Sequence, residues 1–147
     1  MTDFAANISK FVAKANGNMD AVVRKIILDI GTKIVMRSPV GDGDLWQSKP
    51  PPGYVGGRFR ANWQYTFGQP ATEATAEIDA SGRNTISTIL SGVSSNKAAG
   101  LHYLSNNLPY AKRLEDGWST QAPIGMVGLT LLEFQSMVNG AATEVAG

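Results

Sequence analysis

Two carboxylates stand two residues apart in Asp42-Gly43-Asp44, the opening of a calcium loop, but the third oxygen position falls on Trp46 and no glutamate closes it. An acidic, glycine-rich turn explains the triplet. His102 is the single histidine, with no second histidine for a metal pair and no serine and acid at a spacing that specifies a triad. Beside Tyr103 in an expected strand, it reads as a surface or sheet-edge residue. Glu115 and Asp116 are neighbouring carboxylates, the raw material of glycoside hydrolysis. Successive helical residues diverge by about 100°, so this pair does not face one sugar bond. Without cysteine there are no disulfides, thiolate nucleophiles or cysteine metal sites. The expectation is a chain with no catalytic set, no metal and no cofactor.

A different chemistry is offered by Arg58 to Phe67, where arginines alternate with aromatics. Read as a strand, it places Phe59, Ala61, Trp63, Tyr65 and Phe67 on one face and Arg58, Arg60, Asn62, Gln64 and Thr66 on the other. Aromatics between arginines can stack bases while the cations hold phosphate. Alternation separates the two groups here: the aromatics cover the core, which leaves the arginines able to line a channel that passes DNA without reading it. Thirteen basic and twelve acidic residues give a net charge of +1, too balanced for the field of a dedicated nucleic-acid binder. So little net charge also does little to keep copies apart.

Asn106 to Met126, NNLPYAKRLEDGWSTQAPIGM, is dense in turn formers, charges and anchoring aromatics. Pro109 can open a short helix, Tyr110 and Leu114 fall one turn apart on one face, and Gly117 supplies a left-handed stop. Lys112 and Arg113 lie toward the positive end of that helix and Glu115 and Asp116 toward the negative end, the reverse of what the dipole favours. Such a local violation is expected where something outside the segment, such as a neighbouring subunit, holds the charges.

The elements that must position these residues follow from periodicity. A first helix is expected over Phe4 to Ala15. After the Asn16-Gly17-Asn18 break, Asn18 caps a second that runs to Arg37 with Met19, Val22, Val23, Ile26, Ile27, Ile30 and Ile34 on one stripe. Pro39 ends it. Pro39 to Gly57 has no apolar period and reads as a long loop or arm, in which Trp46, Tyr54 and Val55 are natural anchors on a partner. Thr72 to Ala80 alternates as a second strand, with a coil as the alternative. Ser81 caps a helix carrying Ile86, Ile89, Leu90 and Val93, and Leu101 to Asn106 is a strand. A capping box, Thr130 with Glu133, opens a last helix with Leu131, Phe134, Val138, Ala141, Ala142 and Val145 on its stripe. The result is one α+β domain over residues 1–147: a small antiparallel sheet against a long N-terminal and a C-terminal helix. No segment reads as a signal peptide or a membrane span, so a soluble protein made in the cytoplasm is expected.

Ser38-Pro39-Val40 after a long helix, Gly57-Arg58-Phe59-Arg60-Ala61-Asn62-Trp63-Gln64 after a loop, and Asn107 to Met126 before a C-terminal helix together resemble the tailed-bacteriophage neck and tail-completion proteins. That family includes the minor tail protein Z group, and the likeness spans about Met19 to Val145. In the compact family pattern the Pro-Val pair passes almost directly to the Gly-Arg pair, whereas here Gly41 to Gly56 intervene. The resemblance implies a non-enzymatic virion protein of the head-tail junction that forms a homo-oligomeric ring, a hexamer. Its partners would be itself, portal- or adaptor-side neck proteins, and tail tube or sheath proteins, with non-specific passage of DNA and no membrane. Contact residues are expected at Trp46, Tyr54, Arg58 and Arg60, at Tyr110, Lys112, Arg113, Glu115 and Asp116 on the short helix, and at Trp118, Gln121 and Met126 after it. The competing classes are a small phage hydrolase and a nucleic-acid-binding protein.

Overall fold

The computed structural model describes residues 19–42 and 49–146. The expected first helix, the Asn18 cap, Asp44 and Trp46 lie outside the described residues. The chain is α+β, with a long N-terminal helix, a two-stranded antiparallel sheet and a C-terminal helix.

Helix α1 (Met19–Arg37) is the spine, and its broad apolar stripe serves two clusters. Val22 packs with Val138, Ala141 and Ala142 of the C-terminal helix. Ile34 and Val35 join Phe59, Trp63, Ile89, Val93, Leu108, Ala122 and Met126 in the main core. Gly31 permits the second contact, because a Cβ there would stand 3.2 Å from the Ile89 side chain.

The aromatic-arginine run corrects the strand reading. Arg58–Ala61 is a single helical turn, α2, and only Gln64–Phe67 is strand, β1. Phe59 and Trp63 are four apart, a spacing that shares a face in both helix and strand, so alternation alone did not separate the two forms. Both rings reach the core and meet edge to face at 5.9 Å. Gly57, at φ 116°, starts the turn, and fully buried Asn62 closes it by donating to the Arg58 carbonyl at 2.8 Å.

Thr72 to Ala80 is irregular rather than a strand. Its small side chains bury little, and side-chain hydrogen bonds hold its backbone in place of a ladder. Helix α3 (Arg83–Ser95) follows, capped jointly by Ser81, which accepts from the Arg83 amide, and Asp79, which accepts from the Thr85 amide and hydroxyl at 2.8 Å. Burial pushes the Asp79 carboxyl up, but the bonds from Thr85, Ser81 and Gly82 together hold it below the usual range. Strand β2 (His102–Ser105) pairs with β1 in the register Gln64 to Ser105 and Phe67 to His102. Two strands are marginal alone; these lean on α3, where Gly92 leaves room for the Tyr65 ring.

After the short helix α4 (Ala111–Glu115), the last helical region is two pieces, α5 (Val127–Leu132) and α6 (Phe134–Ala146). This overturns the capping box. Thr130 is inside α5, its hydroxyl donating to the Met126 carbonyl at 2.7 Å. Glu133 reaches α1 instead, pairing with Lys33 and Arg37 at 2.5 Å each. The break at Glu133 also turns Leu131 away from the buried stripe, leaving it exposed.

Candidate interaction surface

Helix α4 is short, yet its C-terminal end is fixed. Beyond Asp116 the Trp118 amide donates to the Arg113 carbonyl at 3.2 Å and the Gly117 amide to Leu114 at 3.1 Å, with Gly117 at φ 90°. This is the Schellman closure that the left-handed stop predicts. A Cβ on Gly117 would run into the Pro123 carbonyl, so the turn after the helix folds back tightly.

Glu115 fixes the other side of that turn. Its carboxylate accepts the amides of Met126 at 3.1 Å, Val127 at 2.9 Å and Gly128 at 3.0 Å, capping α5 from eleven or more residues away. The remaining charges also find partners within the chain. Lys112 pairs with Asp116 at 2.9 Å, one turn along, and that hydrogen bond raises the lysine pKa. The Arg113 guanidinium lies 5.0 Å over the Trp118 ring.

Pinned at Glu115 and Gly117, the loop holds Trp118 outward with 73% of its surface exposed. Ile124, on the same loop, is also exposed. Sequence reasoning missed Ile124, Leu131 and Leu132, the last 82% exposed. No local signal sets them apart, because adjacent apolar residues such as Ile26 and Ile27 both pack against the core from one stripe of α1.

Other expected contact residues are used internally. Met126 is 1% exposed, in the main core, and Glu115 is committed to its three amides. The Arg60 guanidinium is engaged within the chain: it donates to the carbonyls of Met36 and Ser38 at 2.9 Å and Ala80 at 2.8 Å, closing the C-terminal end of α1. Burial lowers its pKa, against the opposing pull of Asp79. Arg58 remains exposed, with its Nε donating to the Thr75 carbonyl at 3.2 Å. Tyr110 rests its ring 6.1 Å from Phe59 with 38% exposed, and burial raises its phenol.

The arm closes at its base. Gln121 reads both polar groups of Val40, accepting from its amide at 3.0 Å and donating to its carbonyl at 2.8 Å. Any Cβ on Gly56 would collide with the Gly41 carbonyl, and one on Gly41 with the Tyr54 hydroxyl. The chain therefore leaves at Gly41 and returns at Gly56, the ends touching as in an Ω-loop. The three motif pieces named above meet here too, because buried Ser38 accepts the Trp63 indole N–H at 2.7 Å while its carbonyl takes Arg60.

His102 lies on β2, an edge strand of the two-stranded sheet as the sheet-edge reading expects, and is half-buried rather than on the surface. Its Nε2 lies 2.8 Å from the Ala98 carbonyl, which can only accept, so Nε2 carries the proton and Nδ1 accepts from the Tyr65 hydroxyl at 2.7 Å. Among the described residues no three His, Asp or Glu side chains gather closely enough to hold a metal ion. Nor is any described helix long and apolar enough to cross a membrane. No protein-family model, curated protein or solved structure matches the chain.

Proposed function

We propose that this chain is a structural subunit of a tailed-bacteriophage neck, at the tail-completion or tail-terminator position, where copies form a closed ring joining the tail to the head connector. The observation that carries the reading is Trp118, 73% exposed under Arg113 on a loop fastened at both ends. Tryptophan and arginine dominate the binding energy of protein interfaces. A preorganised loop also loses little entropy when it docks. The meeting of the three motif pieces at Ser38 and Val40 supports the likeness at the level of the fold, while Trp118 bears on contact.

A ring needs two different patches on each subunit. Trp118 with Arg113 forms one. Leu131 and Leu132, exposed on α5, supply a candidate for the other. The partners are further copies, portal- or adaptor-side neck proteins, and tail tube or sheath proteins; DNA passes through the ring without specific contact, and the finished location is the virion.

Sedimentation velocity of the purified protein tests the reading. One closed oligomer should appear on concentration, and Trp118→Ala should abolish it with the helical signal unchanged. A monomer at every concentration, or an oligomer indifferent to Trp118→Ala, overturns it.

A further inference from the structure

Residues Ala74 to Ile78 run without turn or bend, and their backbone is bonded on one side only. Thr75 faces the body, and the exposed Glu77 amide donates to the Thr75 hydroxyl at 3.3 Å. Thr75 gives its amide to the Asn62 side chain at 2.7 Å, and its carbonyl accepts from Asn62 at 3.1 Å and Arg58 at 3.2 Å. The neighbouring Glu73 carbonyl accepts from Gln64 at 2.7 Å and Asn107 at 3.2 Å. At Asp79 the amide donates to the Gly57 carbonyl. Among the described residues, the amides and carbonyls of Ala74, Ala76 and Ile78 bond to nothing, and all three residues are exposed.

Alternate bonding of this kind is the signature of an edge strand, because successive residues of an extended chain present their polar groups to opposite sides. Here side chains, not a neighbouring strand, stitch the inner edge. The outer edge is left as a template for main-chain pairing. Its flanking side chains define what can pair. Glu73 and Glu77 are exposed, no ion pair of the described residues uses either, and a fully extended chain would set residues four apart about 13 Å from one another. Opposite charges directly across paired strands attract, and like charges repel.

We propose that Ala74 to Ile78 is a docking edge that captures an extended peptide segment carrying lysine or arginine four residues apart, by adding it as a strand. Main-chain bonds to Ala74, Ala76 and Ile78 provide the attachment, and Glu73 and Glu77 select the cationic sequence. This does not depend on the ring reading, since it is measured on the single chain.

The probe is a seven-residue peptide of threonine and valine, acetylated and amidated, with lysine at its second and sixth positions, titrated into the intact isotope-labelled protein. Amide resonances of Ala74, Ala76 and Ile78 should shift, with a Kd near or below about 1 mM. N-methylation along one edge of the peptide should abolish binding, while methylation along the opposite edge leaves it intact. The double variant Glu73→Lys with Glu77→Lys should weaken binding about tenfold or more with an unchanged fold. The proposal is overturned by no shift at about 1 mM, by equal binding of a peptide with glutamate in place of lysine, or by equal loss on methylating either edge.

Discussion

Replacing Glu115 should destabilise the fold although the side chain looks like one half of an exposed acidic pair. Its carboxylate takes the amides of Met126, Val127 and Gly128 and joins α4 to α5 across the turn that carries Trp118. A hydrogen bond to a charged group contributes about 1.5–3 kcal/mol net. The three do not add fully, because Gly128 is exposed and water can take over its amide. Removing an N-terminal cap costs about 0.5–2 kcal/mol in other helices. Between these bounds, Glu115→Ala should lose about 2–4 kcal/mol. Glu115→Gln keeps one acceptor oxygen for Met126 and Val127 but turns a donor toward Gly128, so it should lose about half as much. In urea, with a slope near 2 kcal/mol/M, the alanine midpoint should fall by about 1–2 M. Fluorescence and circular dichroism melts on both variants give the answer. If Glu115→Ala stays within about 0.5 kcal/mol of the parent, the cap is not holding the turn and the reasoning fails.

Asn62→Ala should cost about 2–4 kcal/mol, since it takes the side-chain partner from the part-buried Arg58 carbonyl and Thr75 amide and empties a fully buried site, and urea unfolding will measure it. Deleting 42–55 should leave the helical spectrum and a cooperative melt intact, because Gly41 and Gly56 already touch, while weakening assembly; a noncooperative melt or an unchanged oligomer contradicts this. Hydrogen bonds from Lys33 and then Arg37 hold the Glu133 carboxyl below its usual range. A depressed folded-state pKa contributes stability that is present above the unfolded glutamate value of about 4.3 and disappears as pH falls through the lower folded value. Melting temperature against pH should therefore drop less steeply on acidification in Glu133→Gln than in the parent; identical slopes contradict it.

The spine of this fold was plain in its residues. The stripe from Met19 to Ile34 has one period and Pro39 one meaning, so α1 ended where steric exclusion requires. Gly117 was equally legible, because a left-handed stop after Leu114 has few other solutions. The run after Gly57 misled because Phe59 and Trp63 satisfy two periods at once, and the choice between them rests on Asn62, whose partners lie at Arg58 and Thr75. Side chains that bridge distant backbone were not legible at all. Nothing local tells that Arg60 closes α1, that Glu115 caps α5, or that Glu133 leaves its expected helix start for Lys33 and Arg37. In the candidate surface the residue types were visible and their division was not: Trp118 and Arg113 face outward, while Met126 and Glu115 are spent on the fold.

Contact through Trp118 is tested most directly by placing a photoreactive benzophenone amino acid at position 118, irradiating the assembled protein, and mapping the adduct by mass spectrometry. A cross-link from position 118 to a different patch of a second copy, with the exposed face of Leu131 and Leu132 the expected partner, is the predicted result. Position 118 joined only to its own chain, or to position 118 of another copy, contradicts the ring.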